Sequence, residues 1–138
     1  MDARVWTVER CNARELTPAS FAAAMSEQKR AFDLTLLGRV AGAVMDLSFI
    51  SVLKVLPAIQ PLLAPGAWMV VLIKPQFEAG RSAVQSGGLV TEPGVLEPLL
   101  LGLWGQIELQ GLRVRAMCKA SIKGSDGNQE FLFWLECP

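Results

Sequence analysis

The sequence contains no histidine. This absence excludes the Ser-His-Asp and Cys-His catalytic designs, histidine metal ligands and the usual proton acceptor of neutral pH. Any catalysis by this chain must therefore use other groups, and no metal site is predicted.

Charge of one sign is also lacking, because 13 Lys and Arg residues balance 13 Asp and Glu residues. A net charge of zero gives no electrostatic footprint for autonomous nucleic-acid binding. Apolar residues make up 51% of the 138 residues and charged residues make up 19%. These proportions are typical of one globular domain with a hydrophobic core, not of a disordered chain.

Cysteines are few and widely spaced, at Cys11, Cys118 and Cys137. No pair has the spacing of a zinc or redox motif, so we expect reduced thiols in a cytoplasmic protein. Long hydrophobic runs are absent as well. The longest, PLLAPGAWMVVLI at 61–73, is interrupted by Pro and Gly and is too short to span a bilayer. No membrane association is expected.

Hydrophobic periodicity predicts strands that alternate with helices. Thr17 and Ser48 are candidate helix N-caps, and the prolines at 57 and 61 are expected to kink or split the second helix. The Gly- and Asn-containing segment at 122–128 predicts an antiparallel hairpin. The pattern indicates one α/β domain. Predicted strands are 4–9, 40–46, 67–74, 112–121 and 129–136, predicted helices are 18–30, 47–63 and 95–109, and a Gly-rich loop is predicted at 78–90.

Three charged residues are expected at one edge of this sheet. Asp46 ends one predicted strand and Lys74 ends the next, while Glu130 begins the last strand, which runs in the opposite direction. In open α/β sheets, ligands gather beyond the carboxyl ends of the strands. A lysine held between carboxylates can position or deprotonate a hydroxyl group without histidine.

A structural role explains the same residues. A strand-terminal Lys is often an end charge whose aliphatic stem covers apolar surface. Asp46 could cap the helix that follows it. The pattern alone leaves the catalytic and structural interpretations open.

Four segments carry a resemblance to a known family. They are similar, in order and spacing, to signature segments of the TlyA-type (hemolysin A) ribosomal RNA methyltransferases, within the FtsJ-like 2'-O-methyltransferase group. The resemblance covers nearly the whole chain. It implies a truncated Rossmann-like methyltransferase sheet, mostly parallel, with a C-terminal antiparallel hairpin. The segments are DARVWTVERCNARELT at 2–17, MDLSFISV at 45–52, LIKPQFEAG at 72–80 and SIKGSDGNQEFLFWL at 121–135.

The resemblance also implies a reaction and a set of site residues. The family uses a Lys-Asp-Lys-Glu tetrad around the ribose hydroxyl, and Asp46, Lys74 and Glu130 match its last three members. The second Lys is favoured there for activating the 2'-hydroxyl. The implied methyl donor is S-adenosylmethionine, and the implied substrate is ribosomal RNA or a ribosomal subunit. Asn12 and Ala13 match the position that holds the adenine, although Asn12 is equally well explained as a turn residue.

Further residues of the matched segments have no assigned role. Phe77 and Glu78 match family positions that follow the catalytic Lys. Spacing alone does not assign the other polar residues, and a solvated hairpin tip is the simpler interpretation of Lys123 beside Gly124. Residues that could meet the substrate are Gln76, Ser121, Lys123 and Asn128.

The chain also departs from the family pattern. The small RNA-binding domain, the first catalytic Lys, the Gly-rich cofactor loop and two strands expected between 4–9 and 40–46 are not found. We therefore expect 1–138 to be the C-terminal part of a methyltransferase domain, incomplete or inactive as an isolated chain. The alternative is a non-catalytic interaction module that retains the fold remnant. Pore formation is disfavoured because no segment of the sequence could span a bilayer.

A truncated sheet is expected to leave an apolar strand edge exposed, which favours self-association. We predict that the chain forms an oligomer or an unstable monomer. Sedimentation velocity and thermal unfolding at several protein concentrations check this, and both should depend on concentration. A monomer with a sharp, concentration-independent unfolding transition would contradict the prediction.

Overall fold

The computed structural model describes residues 5, 7–27, 35, 38–80, 88–90, 92–124 and 127–138. Within them the chain forms one four-stranded sheet with the spatial order β1-β2-β4-β3. The strands are β1 (Val40–Asp46), β2 (Leu63–Ile73), β3 (Arg113–Lys123) and β4 (Gln129–Glu136). The predicted strands at 40–46, 67–74, 112–121 and 129–136 are therefore confirmed.

Helices precede and connect these strands, which confirms the predicted α/β fold. Short 3-10 turns occupy Ala13–Glu15, Val52–Lys54 and Gln60–Leu62. Among the described residues, no helix is long and apolar enough to cross a membrane. The helices are α1 (Pro18–Glu27), α2 (Leu56–Ile59), α3 (Pro75–Glu78) and α4 (Pro93–Leu109).

The strand pairing is mixed. β1 and β2 run parallel, with Val44 opposite Val70 and Asp46 opposite Leu72. β4 lies antiparallel to both β2 and β3. The C-terminal hairpin of β3 and β4 is confirmed, and the parallel part of the described sheet is the single pair β1–β2.

The hydrophobic core lies on one face of the sheet. Side chains alternate between the two faces of a strand, and Met69, Val71 and Ile73 of β2 point into the core, each fully buried. Helix α4 covers this face because Leu100, Leu103 and Ile107 form one apolar stripe at helical spacing.

The opposite face of the sheet is open. Val44 is 78% exposed there, and the indole rings of Trp68 and Trp134 are about half-exposed. A Cβ at Gly42 would collide with the Trp68 ring, so the missing side chain at this position lets the indole lie across β1. Asp46 and Lys74 continue the residue alternation of this open face.

Helix α1 begins as its sequence predicts. The Thr17 hydroxyl accepts a hydrogen bond from the Ser20 backbone N–H at 3.0 Å, and the Ser20 hydroxyl accepts one from the Thr17 N–H at 2.9 Å. This reciprocal pair satisfies two backbone donors at the helix start. The last three residues of the predicted helix, 28–30, lie outside the described residues.

The predicted strand at 4–9 is wrong for the residues that the structure describes. Val5 and residues 7–9 are not in a strand, while residues 4 and 6 lie outside the described part. Within the described sheet β1 is an edge strand, so no strand from residues 4–9 pairs with it. Alternation of apolar and polar residues favours a strand but does not provide the partner strand that it needs. Of the predicted loop at 78–90, residues 81–87 also lie outside the described residues.

The predicted helix at 47–63 is wrong in form. This segment contains the 3-10 turn Val52–Lys54, helix α2 and the 3-10 turn Gln60–Leu62. Pro57 and Pro61 lie at the starts of the last two elements, because proline suits a first helical turn and breaks an interior. The N-cap is Ser51, whose hydroxyl accepts from the Leu53 N–H at 3.3 Å; Ser48 is not the cap.

Asn128 ties the hairpin to the segment that precedes α4. Its side chain is fully buried. The amide oxygen accepts from the Val90 N–H at 2.9 Å, and the amide nitrogen donates to the Gly88 carbonyl at 2.9 Å. Two backbone groups of a non-repetitive segment are thereby satisfied inside the protein.

Replacing Asn128 should destabilise the fold. Asn128→Ala leaves two buried backbone groups without partners, which costs about 1–3 kcal/mol. Asn128→Asp should cost more, because it buries a carboxylate charge next to the Gly88 carbonyl oxygen. Urea unfolding measures both, with the exposed Gln106→Ala as a control that should stay within about 0.5 kcal/mol of wild type. An unchanged stability in Asn128→Ala would contradict this role.

Candidate functional site

Lys74 lies immediately after the last residue of the buried strand β2. Pro75 follows it as the first residue of α3, where the absent N–H of proline costs nothing. The strand therefore ends at Lys74 and the chain turns away. The Lys74 side chain is only 14% exposed, so the body of the chain shields most of its aliphatic stem.

Asp46 and Lys74 are brought together by the parallel pairing. Asp46 lies opposite Leu72, and Lys74 is the next residue after Leu72 on the same face. Lys74 Nζ lies 2.7 Å from Asp46 Oδ1 and donates a hydrogen bond to Ser48 Oγ at 3.3 Å. Two of the three ammonium donors are thus engaged, and one is left for a substrate atom.

Glu130 lies at the same edge of the sheet. The antiparallel register places Phe131 opposite Ile73, so Glu130 lies beside Lys74 on the neighbouring strand. Its carboxylate is close to Gly124, where an added Cβ would approach Oε1 to 2.8 Å. Among the described residues no ion pair joins Glu130 to Lys74. The structure therefore brings Asp46 onto Lys74 directly and Glu130 to the adjacent position.

The two turns that follow β1 and β2 are packed against each other. The rings of Phe49 and Phe77 lie 5.0 Å apart at an interplanar angle of 46°. Glu78 Oε1 accepts a hydrogen bond from the Val52 N–H at 2.9 Å. Phe49 has a positive φ of 65°, a conformation that bulky residues rarely adopt and that surrounding contacts must maintain.

Glu78 is a partly buried carboxylate. Burial raises its pKa from the ordinary value of 4.5, and hydrogen bonds from the Ser51 side chain and the Val52 backbone oppose this rise. Desolvation disfavours the charged form of a carboxyl group, whereas hydrogen bonds to the carboxylate favour it. The net upward shift shows that desolvation is the larger effect.

Two cavities lie on opposite sides of the sheet. A shallow cleft of about 250 Å³ borders Asp46 and is floored by Val44, Val70, Leu72 and Leu132. A larger cavity of about 560 Å³ lies between α4 and the hairpin, where Leu100 and Lys119 contribute to its lining. The larger cavity has none of Asp46, Lys74 or Glu130 in its walls, so its size does not make it the reaction site.

Asn12 and Ala13, the residues expected at the adenine of S-adenosylmethionine, lie at the start of the first 3-10 turn. Ala13 packs against the core, and Asn12 N-caps the 3-10 turn, its amide oxygen accepting from the Arg14 N–H at 3.2 Å. The Asn12 amide nitrogen donates to Glu15 Oε1 at 3.1 Å. One N–H of this exposed amide is left over, which is sufficient to pair with an adenine edge.

The unassigned polar residues of the matched segments have different environments. Asn128 is committed to backbone groups, so it is not available to a substrate. Ser121 and Lys123 are exposed on β3. Gln76 Oε1 is buried, and none of the described groups donates to it. The described residues contain no cluster of three or more His, Cys, Asp or Glu side chains suited to a metal ion.

Sequence reasoning missed the role of Ser48 and of the Ser51–Glu78 contact. Ser48 was a candidate cap because serine favours helix starts, yet its hydroxyl is a partner of Lys74 Nζ. Its position two residues after Asp46, in a turn at a strand end, is a signal that could have indicated this. The contact between Glu78 and Val52 spans 26 positions, and no local pattern encodes it.

Known proteins are similar to this chain in sequence and in fold. A family model described as FtsJ-like methyltransferase matches residues 1–137. "Putative rRNA methyltransferase YqxC" of Bacillus subtilis is 37% identical over 137 residues, which are 99% of this chain and 44% of that protein. "16S/23S rRNA (cytidine-2'-O)-methyltransferase TlyA" of Mycobacterium tuberculosis is 35% identical over 134 residues, 97% of this chain and 44% of that protein.

A solved structure supports the same relationship. The solved structure described as "Putative hemolysin from Streptococcus thermophilus" superposes with a TM-score of 0.83 at 34% identity, over 99% of this chain and 44% of that one. The present chain thus spans less than half the length of these relatives. The resemblance that the signature segments indicated is confirmed.

The raised pKa of Glu78 predicts a pH dependence of stability. Between the unfolded-state value of 4.5 and the higher folded-state value, the native state binds more protons than the unfolded state, so stability falls as pH rises through this window. Glu78→Gln cannot titrate and keeps an acceptor for the Val52 N–H. The stability of wild type relative to Glu78→Gln should therefore be highest below pH 4.5 and should fall as pH rises.

Urea unfolding of both proteins across this pH range measures the difference. The control is Glu108→Gln, the same substitution at an exposed site on α4. A wild-type advantage over Glu78→Gln that grows with rising pH would contradict the assigned direction.

Proposed function

The chain belongs to the FtsJ-like methyltransferase family, and from this premise we propose that it acts in the S-adenosylmethionine-dependent methylation of a ribose 2'-hydroxyl in ribosomal RNA. The observation that carries the proposal is the ion pair of Lys74 and Asp46 at the carboxyl ends of two parallel strands. This is the edge of an open α/β sheet at which ligands bind.

Lys74 is the group proposed to contact the 2'-hydroxyl. Asp46 and Ser48 hold Nζ in one orientation through two of its donors, so the third is directed at a substrate without further ordering. Bound S-adenosylmethionine would supply the methyl group and would be left as S-adenosylhomocysteine when its sulfur–methyl bond breaks, while the ribose oxygen gains the methyl carbon and loses its proton. As the neutral amine, Lys74 would accept this proton; as the ammonium ion, it would instead stabilise the negative charge that develops on the oxygen.

The cofactor contacts that we propose are limited to Asn12 and Ala13 at the adenine. When bound, S-adenosylmethionine supplies an electrophilic methyl group. Glu130 lies beside Lys74 on β4 and is proposed to orient the same ribose as a hydrogen-bond acceptor. The proposed substrate class is that of the Mycobacterium tuberculosis relative, which is named as a 16S/23S rRNA methyltransferase, and we propose that the reaction takes place in the cytoplasm.

A non-catalytic interaction module is the second candidate. The observation that favours it is that neither β1 nor β2 is followed by a Gly-rich turn in the described part of the chain. Its partners would be a second copy or a complementing chain that pairs with the edge of β1. The two candidates differ in one property, which is turnover.

Methyl transfer to ribosomal subunits and to naked rRNA tests the proposal. Lys74→Ala should lower the rate by about 100-fold or more, the usual contribution of a positioned acid–base group. Lys119→Ala, an exposed lysine on β3, is the matched control and should keep wild-type activity. Equal rates for Lys74→Ala and wild type would contradict the proposal. No transfer by wild type would contradict it for the isolated chain and would agree with the expectation of an incomplete methyltransferase domain.

Lys74→Arg separates the two roles of Lys74. A guanidinium remains protonated, so it can stabilise charge but cannot accept a proton. We expect a loss as large as that in Lys74→Ala if Lys74 is the base, and activity well above Lys74→Ala if it is an electrostatic clamp. The ratio of the two rates decides between them.

A further inference from the structure

The turn after β1 and the turn after β2 are joined by contacts between successive residues. Lys74 contacts Asp46 and Ser48. Phe77 then contacts Phe49. Glu78 makes the third contact, because its carboxylate accepts a hydrogen bond from the Val52 N–H. The two segments 46–52 and 74–78 therefore run alongside each other, with Lys74 at one end and Glu78 at the other.

Within segments 46–52 and 74–78, Glu78 is the only charged residue besides Asp46 and Lys74. Its carboxylate is removed from water sufficiently for burial to raise its pKa, and Ser51 and Val52 are its hydrogen-bond partners. No ion pair to Glu78 occurs among the described residues. A partly buried carboxylate costs free energy unless hydrogen bonds offset its desolvation, and the hydrogen bonds from Ser51 and Val52 provide this compensation.

The hydrogen bonds of Glu78 act on the segment that carries Ser48. The Val52 N–H is one of the free donors at the start of a 3-10 turn, and Ser51 caps the same turn. When Ser51 and Val52 are held in place, the path of the backbone between Ser48 and Ser51 is restricted as well. Phe49 lies between Ser48 and Ser51 and has a positive φ. Its backbone would relax to a more favourable conformation without the contacts that hold this turn.

We propose that Glu78 is a positioning residue, which locks segment 46–52 against segment 74–78 and so keeps the Ser48 hydroxyl on Lys74 Nζ. The inference rests on the proposed function for its catalytic meaning, but its structural content does not. Glu78 itself touches neither Lys74 nor any reacting atom. Its effect on catalysis would be transmitted through the turn and the Ser48 hydroxyl.

The chemical reactivity of the Lys74 amine tests the inference without any assay of activity. Competitive acetylation of the full chain with acetic anhydride, read by peptide mass spectrometry, gives a rate for each lysine. The exposed Lys119 and Lys123 serve as internal references. In wild type, Lys74 should react more slowly than Lys119 and Lys123. Its side chain is only 14% exposed, and its amine contacts both Asp46 and Ser48.

Two variants of equal side-chain length separate the acceptor from the packing. Glu78→Met fills similar space but has no oxygen, so the Lys74 rate should rise by about two- to tenfold, the equivalent of one lost hydrogen bond. Glu78→Gln keeps a carbonyl acceptor and should stay within about twofold of wild type. The rates of Lys119 and Lys123 should not change in either variant.

A core control excludes general loosening. Leu103→Ala removes packing on α4, far in sequence from both turns, and it should leave the Lys74 rate unchanged although it lowers stability. An unchanged Lys74 rate in Glu78→Met, or an equal rise in Glu78→Gln or Leu103→Ala, would overturn the inference. If Glu78→Met does not fold, Ser51→Ala replaces it, and an unchanged Lys74 rate there has the same meaning.

Methyl transfer by the same variants gives the catalytic reading. Glu78→Met should lower kcat and leave KM for RNA unchanged, because the residue does not contact substrate, and Glu78→Gln should restore kcat. If wild type transfers no methyl group, the proposed function fails while the acetylation rates still decide the positioning role. If wild type is active and Glu78→Met keeps full kcat, the positioning role fails alone.

Discussion

The parallel pairing of β1 and β2 is the constraint on which the site depends. It aligns the carboxyl ends of both strands, so that Asp46 and Lys74 come within 2.7 Å of each other. Neither residue needs a long loop to reach the other. The strand ends before Lys74 because Pro75 starts a helical turn at once. The Lys74 ammonium group therefore lies at the sheet edge beside the Asp46 carboxylate.

The covered face of the sheet makes this edge rigid. Met69, Val71 and Ile73 are fully buried beneath α4 and the turns after β1, and they hold β2 in place up to the residue before Lys74. The antiparallel strand β4 adds Glu130 beside Lys74 through the register of Ile73 and Phe131. Side-chain placement at the site is thus a consequence of backbone pairing, while Glu78 and Ser51 adjust the turn.

Much of the sheet could be predicted from the sequence because its signals are local. The strand at 40–46 and the hairpin around 122–128 follow from apolar runs and turn residues. The single helix predicted for segment 47–63 is wrong because the apolar residues have helical spacing, whereas the two prolines divide the segment into short turns. Asn128 could not be assigned because its partners lie 38–40 positions away, and periodicity carries no information about such contacts. The partner of Ser48 lies 26 positions away, and only its place just after Asp46 at a strand end indicates that contact.

The central claim is that this sheet edge serves a methyl-transfer reaction. Calorimetric titration of the folded chain with S-adenosylmethionine, repeated with S-adenosylhomocysteine, tests the claim most directly. The account predicts binding that weakens when Asn12 is replaced by Ala and is unaffected by Lys119→Ala. A cooperatively folded sample that binds neither molecule would contradict the claim, and it would leave the Lys74–Asp46 pair with a structural role.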